Sequence, residues 1–175
     1  MDTATSSARA LFQQHGAAIH RFAQAMLRHQ ADAEDVVQET FLKLLQHLRD
    51  GGGISNLRAW LFTVAANAAR DRQRPRSRWI PWAPVHDVPV EPARLPDEDG
   101  RLRAARDALH RLGPRDRLLI ALRAGGLSYR DIALSAGIRP ASVGRLLARA
   151  LDRWARGCGD QPVPATHHTR QLVNK

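Results

Sequence analysis

The distribution of proline constrains the fold of this chain more than any other feature. Six of the ten prolines lie close together, at Pro75, Pro81, Pro84, Pro89, Pro92 and Pro96. A proline has no backbone N–H to donate and disfavours helical geometry in the residue before it. A continuous helix is therefore excluded here, and we predict an extended linker over residues 76–99. The 175 residues are enough for two small domains, one on each side of this linker.

Both flanking parts carry apolar residues at spacings of three and four, which is typical of amphipathic helices, and neither shows the alternation of a strand. We therefore predict an all-α protein with helical domains over residues 1–75 and 100–156 and a disordered tail over 157–175. The first helix carries apolar residues from Leu11 to Leu27. A helix over 100–112 directs four residues inward: Leu102, Ala105, Leu109 and Leu112.

Capping residues suggest the bounds of the other two N-terminal helices. Asp32 is a favoured N-cap residue, so we predict that the second helix begins there. Three consecutive glycines at 51–53 end it. The third helix follows Ser55 or Asn56 and runs to about Arg74.

The charge of the chain is strongly positive and uneven. Lys plus Arg number 27 against 17 Asp plus Glu, and residues 101–156 contain thirteen of the arginines against four aspartates. Arginine presents a planar fork of donors that fits phosphates and guanine edges. The excess points to a nucleic-acid partner, bound mainly by the C-terminal domain.

Residues 128–154 have the spacing of a helix-turn-helix. Ser128 and Asp131 form the start of a capping box, and Gly137 stands where a tight turn needs a positive φ. The second helix of this motif would enter a duplex major groove, where Arg145 suits a guanine edge. Arg149 and Arg153, further along the helix, suit phosphates.

The second helix begins with an acidic and polar segment: Asp32, Glu34, Asp35, Gln38 and Glu39. Asp35 and Glu39 share a face because they are four residues apart. Three interpretations remain open from the residues alone: a solvated face that favours the helix dipole, a metal site, or a protein-docking face. The metal site is the weakest, since neither a second carboxylate helix nor a Glu-x-x-His motif accompanies the segment.

The third helix separates an apolar face from a polar stripe. The apolar residues are Leu57, Trp60, Leu61, Val64 and Ala68. The polar stripe lies roughly 110° away around the helix and consists of Thr63, Asn67, Arg70 and Arg74. A row of hydroxyl, amide and guanidinium groups fits a nucleic-acid strand. Trp60 lies on the apolar side, so we interpret it as a packing residue and not as a base-stacking platform.

These features together resemble the extracytoplasmic-function family of RNA polymerase sigma factors. The segment DAEDVVQETFLKLLQHL, followed by NLRAWLFTVAANAARDRQR, resembles the second sigma region. The segment LHRLGPRDRLLIALRAGGLSYRDIALSAGIRPASVGRLLARAL resembles the fourth. The resemblance implies a subunit that binds core RNA polymerase and directs promoter-specific initiation, with no enzymatic activity and no cofactor.

The resemblance also implies roles for particular residues. In the family the acidic helix docks on core polymerase, which here implicates Asp35, Gln38, Glu39 and Lys43. The third helix and the loop before it bind the separated −10 strand of promoter DNA, which implicates Asn56, Arg58, Thr63, Asn67, Arg70 and Arg74. The helix-turn-helix binds the −35 duplex, which implicates Arg139, Ala141, Ser142, Arg145 and Arg149. An anti-sigma factor is a further expected partner.

This chain departs from the family pattern in the recognition helix. Arg139-Pro140 stands where the family commonly has a serine cap, and Gly144-Arg145-Leu146 replaces a common Lys-Ser-Arg run. These changes bear on individual −35 contacts and not on the motif itself.

The sequence disfavours two other functional classes relative to a sigma factor. A free-standing helix-turn-helix regulator with a helical sensing domain has no need for an acidic docking helix followed by a polar stripe. An enzyme is disfavoured because no nucleophile–base set, phosphate loop or ligand cluster is present. The single cysteine, Cys158, excludes an intrachain disulfide, and no apolar run approaches the roughly 20 residues of a membrane span. The N-terminus lacks the apolar core of a signal peptide. We therefore expect a cytoplasmic protein without direct membrane insertion.

Overall fold

The computed structural model describes residues 3–73 and 100–158. Within these ranges the chain is helical and contains no strand, which confirms the predicted all-α class. The whole of the predicted linker, the polar-stripe residue Arg74 and nearly all of the predicted tail lie outside the described residues. The helices are α1 (Thr3–Met26), α2 (Gln30–Arg49), α3 (Leu57–Gln73), α4 (Gly100–Arg111), α5 (Pro114–Ala124), α6 (Tyr129–Ala136) and α7 (Pro140–Gly157).

Helices α1 to α3 pack on one another through large side chains from α1 and small ones from α3. The most deeply buried include Ile19 and Met26 of α1 and Leu44 of α2. Ala65 and Ala69 of α3 are fully buried, and their small size lets the helices approach closely. Burying each large apolar side chain stabilises the fold by about 1.5–3 kcal/mol.

The structure corrects the predicted start of the second helix. Helix α2 begins at Gln30, and its N-cap is His29, whose side chain makes no capping hydrogen bond. The backbone N–H of Ala33 donates to the carbonyl of His29 at 3.2 Å, so helical bonding is established before the chain reaches Asp32. Asp32 lies instead in the first turn, where a carboxylate favours the helix dipole.

The structure also corrects the inward face of the helix at 100–112. Leu102 is 48% exposed, because α4 contacts α7 through two small residues nearer its centre. These are Ala105, whose carbonyl accepts a hydrogen bond from the Trp154 indole at 2.8 Å, and the buried Ala108.

The start of α3 follows local sequence preferences. Asn56 accepts a hydrogen bond from the backbone N–H of Ala59 at 3.0 Å, so Asn56 caps α3, as one of the two predicted alternatives.

The N-terminal and C-terminal helices are in contact and share one hydrophobic cluster. Helix α1 packs against α4 and α5, and α3 packs against α6. Phe62 of α3 lies at this junction: it is almost fully buried, and its ring lies against Gly125 at the end of α5 and 5.3 Å from the ring of Phe22. The two helical units on either side of the proline-rich segment therefore pack against each other in this structure.

Candidate nucleic-acid and polymerase interfaces

The helix-turn-helix is built by α6, α7 and the turn between them. The Ser128 hydroxyl accepts a hydrogen bond from the backbone N–H of Asp131 at 3.2 Å and donates one to its carboxylate at 2.7 Å. Gly137 has a φ of +67° and ends α6, as the sequence predicts. Ile132 and Val143 are fully buried between the two helices. This packing holds α7 at a fixed angle on α6.

The outer face of α7 is open at its N-terminal end. Of the predicted −35 residues, Arg139, Ala141, Arg145 and Arg149 are exposed and Ser142 is half-buried. Pro140 occupies the first helical position, which suits its fixed φ and missing N–H. The structure thus brings the predicted residues together on one accessible surface.

Two neighbours of this surface were not evident from the sequence. Arg153 forms an ion pair with Asp116 of α5, so a phosphate would have to compete with that carboxylate. Tyr129, at the start of α6, is partly exposed, and the Arg123 guanidinium lies 5.4 Å from its ring centre. Its ring also lies beside Gly144 of α7, at the edge of the recognition surface.

The acidic face of α2 is partly neutralised within the protein. Glu39 lies between Lys43 and Arg72, each 2.8 Å from one of its carboxylate oxygens. Hydrogen bonds from Lys43 and then from Arg72 lower the pKa of Glu39. Asp35 is 4.0 Å from Arg72 and its side chain remains 61% exposed. Asp35 and the exposed Gln38 are therefore the most accessible members of the predicted docking set.

An apolar groove of about 740 Å³ lies next to this acidic face, between α1 and α2. Phe12 and Leu42 line it and are 49% and 58% exposed. The Phe12 ring makes an edge contact with Phe41 at 4.9 Å. This groove was not predicted from the sequence. The signal available in the sequence was Leu42, an apolar residue that lies outside the inward-facing side of its helix.

The polar face of α3 points at the C-terminal helices. The Thr63 hydroxyl lies 2.7 Å from that of Ser135 on α6. Arg70 donates to the Ser135 carbonyl at 2.6 Å and to the Asn67 side-chain oxygen at 2.9 Å. Asn67 itself remains exposed. The polar stripe is thus a surface that α6 partly covers.

The residues at the start of α3 make similar contacts. The Asn56 amide lies 3.4 Å from both carboxylate oxygens of Asp131. Arg58 donates to the carbonyl of Gly125, at the end of α5, at 2.7 Å. Four of the predicted −10 residues therefore bind α5 or α6 in this structure.

The loop before α3 packs around His47, a residue with no role predicted from the sequence. Gly51 has a φ of +73°, and Gly52 lies so close to the His47 ring that a Cβ there would overlap it. The other side of His47 faces Trp60, with ring centres 5.4 Å apart. Trp60 is half-buried against the core, which supports its interpretation as a packing residue.

Comparison with known proteins identifies both halves of the chain. Residues 11–78 match the family model described as Sigma-70 region 2, and residues 102–153 match Sigma-70, region 4. The chain is 33% identical over 142 residues to the RNA polymerase sigma factor CarQ of Myxococcus xanthus, covering 79% of this chain and 82% of that protein. It is 31% identical over 150 residues to the ECF RNA polymerase sigma factor SigM of Mycobacterium tuberculosis, covering 85% and 76%.

The chain belongs to the extracytoplasmic-function family of RNA polymerase sigma factors. The sigma factor directs promoter-specific transcription by RNA polymerase, as the sequence predicted. A free-standing regulator is set aside, because the N-terminal helices match a sigma region and not a sensing domain.

A solved structure supports the same assignment. The sigma factor resembles RpoE from Bartonella quintana, solved in complex with the anti-sigma factor NepR, with a TM-score of 0.62 and 27% identity. The match covers 87% of this chain and 98% of that one. Within residues 3–73 and 100–158, no helix of the sigma factor is both long and apolar enough to cross a lipid bilayer.

A cluster of charged groups surrounds His110 where α4 meets the N-terminal helices. The His110 carbonyl accepts hydrogen bonds from Arg117 at 2.8 Å and from Arg28 at 3.3 Å. Burial, together with the positive charges of Arg117, Arg28 and Arg106, lowers the pKa of His110 to about 4 against the opposing charge of Asp107. The ring is therefore neutral in the folded sigma factor near pH 7.

Because the pKa of His110 is lowered, we expect the sigma factor to lose stability in mild acid. Its pKa is lower folded than unfolded, so its contribution is complete above about pH 6.5 and declines as the pH falls towards 4. The urea midpoint of the wild type should fall between about pH 7.5 and pH 5, and His110→Gln should reduce that fall. Some dependence of the urea midpoint on pH should persist in this variant, because burial and the charge of Arg58 also lower the pKa of His15. The control is His20→Gln on α1. If the urea midpoint of the His110 variant falls as much as that of the wild type between these pH values, the prediction is contradicted.

Proposed function

We propose that the sigma factor divides promoter recognition between its two helical units. Helices α1–α3, within the predicted domain 1–75, bind core polymerase and the separated −10 strand. Helices α4–α7, which cover the predicted domain 100–156, bind the −35 duplex. The observation that carries this proposal is the open arginine face of α7 on a capped helix-turn-helix. Its helix N-terminus is the part that such motifs present to base edges.

Core polymerase is proposed to dock on α2. Asp35, Gln38, Glu39 and Lys43 lie on one exposed or partly exposed side of this helix. The apolar groove beside them supplies area whose burial would favour association, while the charges orient the partner. Arg72 holds Glu39 in place from α3, so this carboxylate is already positioned before the polymerase binds.

The separated −10 strand is proposed to bind the start and polar face of α3. The proposed contacts are Asn56, Arg58, Thr63, Asn67, Arg70 and Arg74. Guanidinium groups suit the strand's phosphates, and the amide of Asn67 can donate to and accept from an extruded base. The exposed Asn67 is accessible to such a base without any rearrangement of its own helix.

Asn67→Ala should weaken capture of the −10 strand and spare the −35 duplex. One neutral hydrogen bond contributes about 0.5–1.5 kcal/mol, so affinity for a promoter held open at −10 should fall about two- to twelvefold. The measurement is titration of the holoenzyme with this bubble and with the closed duplex. The control is Gln46→Ala, which removes an exposed amide on α2 that bonds Asp50. Equal loss on bubble and duplex would rule out the proposed role of Asn67.

An anti-sigma factor is the proposed regulator of this chain. The support is the Bartonella quintana RpoE structure, which contains the anti-sigma factor NepR. We propose that such a partner competes with core polymerase, which a pull-down from uninduced cells would detect, and that the sigma factor acts in the cytoplasm where the polymerase works. The proposed function is binding throughout, and no reaction is assigned to the chain.

A further inference from the structure

We propose that His47 is a positioning residue for capture of the −10 strand, and that it acts through the loop between α2 and α3. This role rests on the proposed binding of that strand by α3 and the loop before it. The loop covers residues 50–56, and we call it the capture loop. His47 lies outside the capture loop, in the last turn of α2, and has none of the proposed strand contacts itself.

The His47 ring connects the capture loop to the hydrophobic core. Gly52 lies so close to the ring that a Cβ on Gly52 would overlap Nε2. The same ring lies beside the Trp60 indole of α3, with the ring centres 5.4 Å apart. Trp60 in turn packs against the core. The position of the Gly52 backbone is therefore set by a side chain that a core residue supports.

The shape of the imidazole, and not its polarity, makes this contact. Nε2 is buried and has no hydrogen-bond partner within the part of the chain that the structure describes. The backbone N–H of Gly52 donates instead to the backbone carbonyl of His47, at 2.9 Å. A buried nitrogen without a hydrogen bond adds no stability of its own. What His47 supplies is a rigid, flat surface against which the loop backbone packs.

The rest of the capture loop is held at two further points. Ile54 packs against the core, and Asn56 caps α3 by accepting from the backbone N–H of Ala59. Gly53 and Ser55, which alternate with these anchored residues, are exposed. A loop that is ordered in advance loses little conformational freedom when a ligand binds, which favours affinity. The contact with His47 is thus one of three that hold the loop ready for an unstacked base.

Gly52→Ala tests this role through the overlap with His47. The φ of Gly52 is not positive, so alanine is allowed by the backbone there. The added methyl displaces either the capture loop or the His47 ring from its place beside Trp60. Because an added methyl in a packed site is costly, the holoenzyme should bind a promoter held open at −10 at least about fivefold more weakly. Affinity for the −35 duplex should be unchanged, since the helix-turn-helix is intact.

A His47→Ala background separates positioning from general damage to the fold. His47→Ala should itself weaken binding of the open promoter about two- to twelvefold, because the capture loop is then ordered only on binding. Gly52→Ala should cause no further loss in this background, since the ring that it overlaps is gone. A fluorescent adenine analogue in the −10 strand, whose emission rises when it leaves the base stack, reports base capture at saturating holoenzyme. Its rise should be smaller with Gly52→Ala than with the wild type.

The matched control is Gly53→Ala, at the neighbouring glycine, where φ is also not positive and an added Cβ meets nothing within 4 Å. The promoter is first mapped by run-off transcription with the wild-type holoenzyme. If Gly52→Ala binds the open promoter as well as Gly53→Ala does, the inference is overturned. It is also overturned if Gly52→Ala loses as much affinity in the His47→Ala background as it does alone.

Asn67→Ala, measured alongside, separates this inference from the proposed function. If Asn67→Ala weakens binding of the open promoter and Gly52→Ala does not, α3 binds the strand and only the role of His47 fails. If neither variant weakens it, the assignment of the −10 strand to this surface fails, and the role of His47 fails with it.

Discussion

Replacing Arg145 by alanine is expected to weaken binding of the holoenzyme to its −35 duplex about five- to 150-fold. A bidentate contact between arginine and guanine contributes about 1–3 kcal/mol of discrimination, and 1.4 kcal/mol corresponds to tenfold in affinity. Arg145 lies on the exposed side of α7, in its second turn, where recognition helices present side chains to base edges. Sequence preference within the −35 element should relax along with affinity.

Arg149→Ala is the matched control for that experiment. Arg149 is exposed one turn further along α7 and is proposed to contact phosphate. Its loss should weaken binding uniformly across −35 sequences and reduce the salt dependence, without changing the preference. The two variants are compared on a panel of substituted −35 duplexes. An Arg145 variant that keeps the wild-type order of preference would show that this arginine does not read a base.

Reversing the charge of Asp35 and Glu39 together should reduce affinity for core polymerase by at least tenfold. Breaking a hydrogen-bonded charge pair at an interface costs about 2–5 kcal/mol, much of it from the partner charge left unpaired. Asp35→Arg alone is the cleaner variant, because Glu39 also joins α2 to α3 through Arg72. The expected result is loss of co-elution with core polymerase, with an unfolding temperature close to wild type for the single variant.

Asp152→Arg serves as the control for charge reversal. Asp152 is a surface carboxylate on α7 with 65% of its side chain exposed, similar to the 61% of Asp35, and it pairs with Arg156. It lies away from α2, so its reversal should leave core binding unchanged. If the Asp35 variant also binds core polymerase with wild-type affinity, α2 is not the docking surface that we propose.

Much of the fold was predictable because the deciding interactions are local. The cap at Ser128 and the positive φ at Gly137 are set within a few residues of chain, and both were predicted correctly. The start of α2 was predicted wrongly at Asp32. A favourable N-cap residue contributes only about 0.5–2 kcal/mol. The helix begins instead at Gln30, after an N-cap residue, His29, whose side chain makes no capping hydrogen bond. The prediction that Leu102 faces inward was also wrong, because helical periodicity identifies the apolar face of a helix but not which part of that face a neighbouring helix covers.

The candidate sites, like the fold, were predictable from the sequence only in part. The sequence alone indicates which side chains share the face of a helix, so it grouped the polar residues of α3 and the arginines of α7. It does not indicate what those faces meet. The groove between α1 and α2 depends on how two helices sit side by side.

The sequence by itself determined the all-α class, the helix-turn-helix and the family, because these rest on patterns within single helices and turns. Only the tertiary structure decided that Arg58, Thr63 and Arg70 bind the C-terminal helices. Their partners lie 65 to 72 residues away along the chain, beyond the proline-rich stretch. Contacts over such separations depend on how whole helices pack, and packing is a property of the assembled shape and not of any local run of residues.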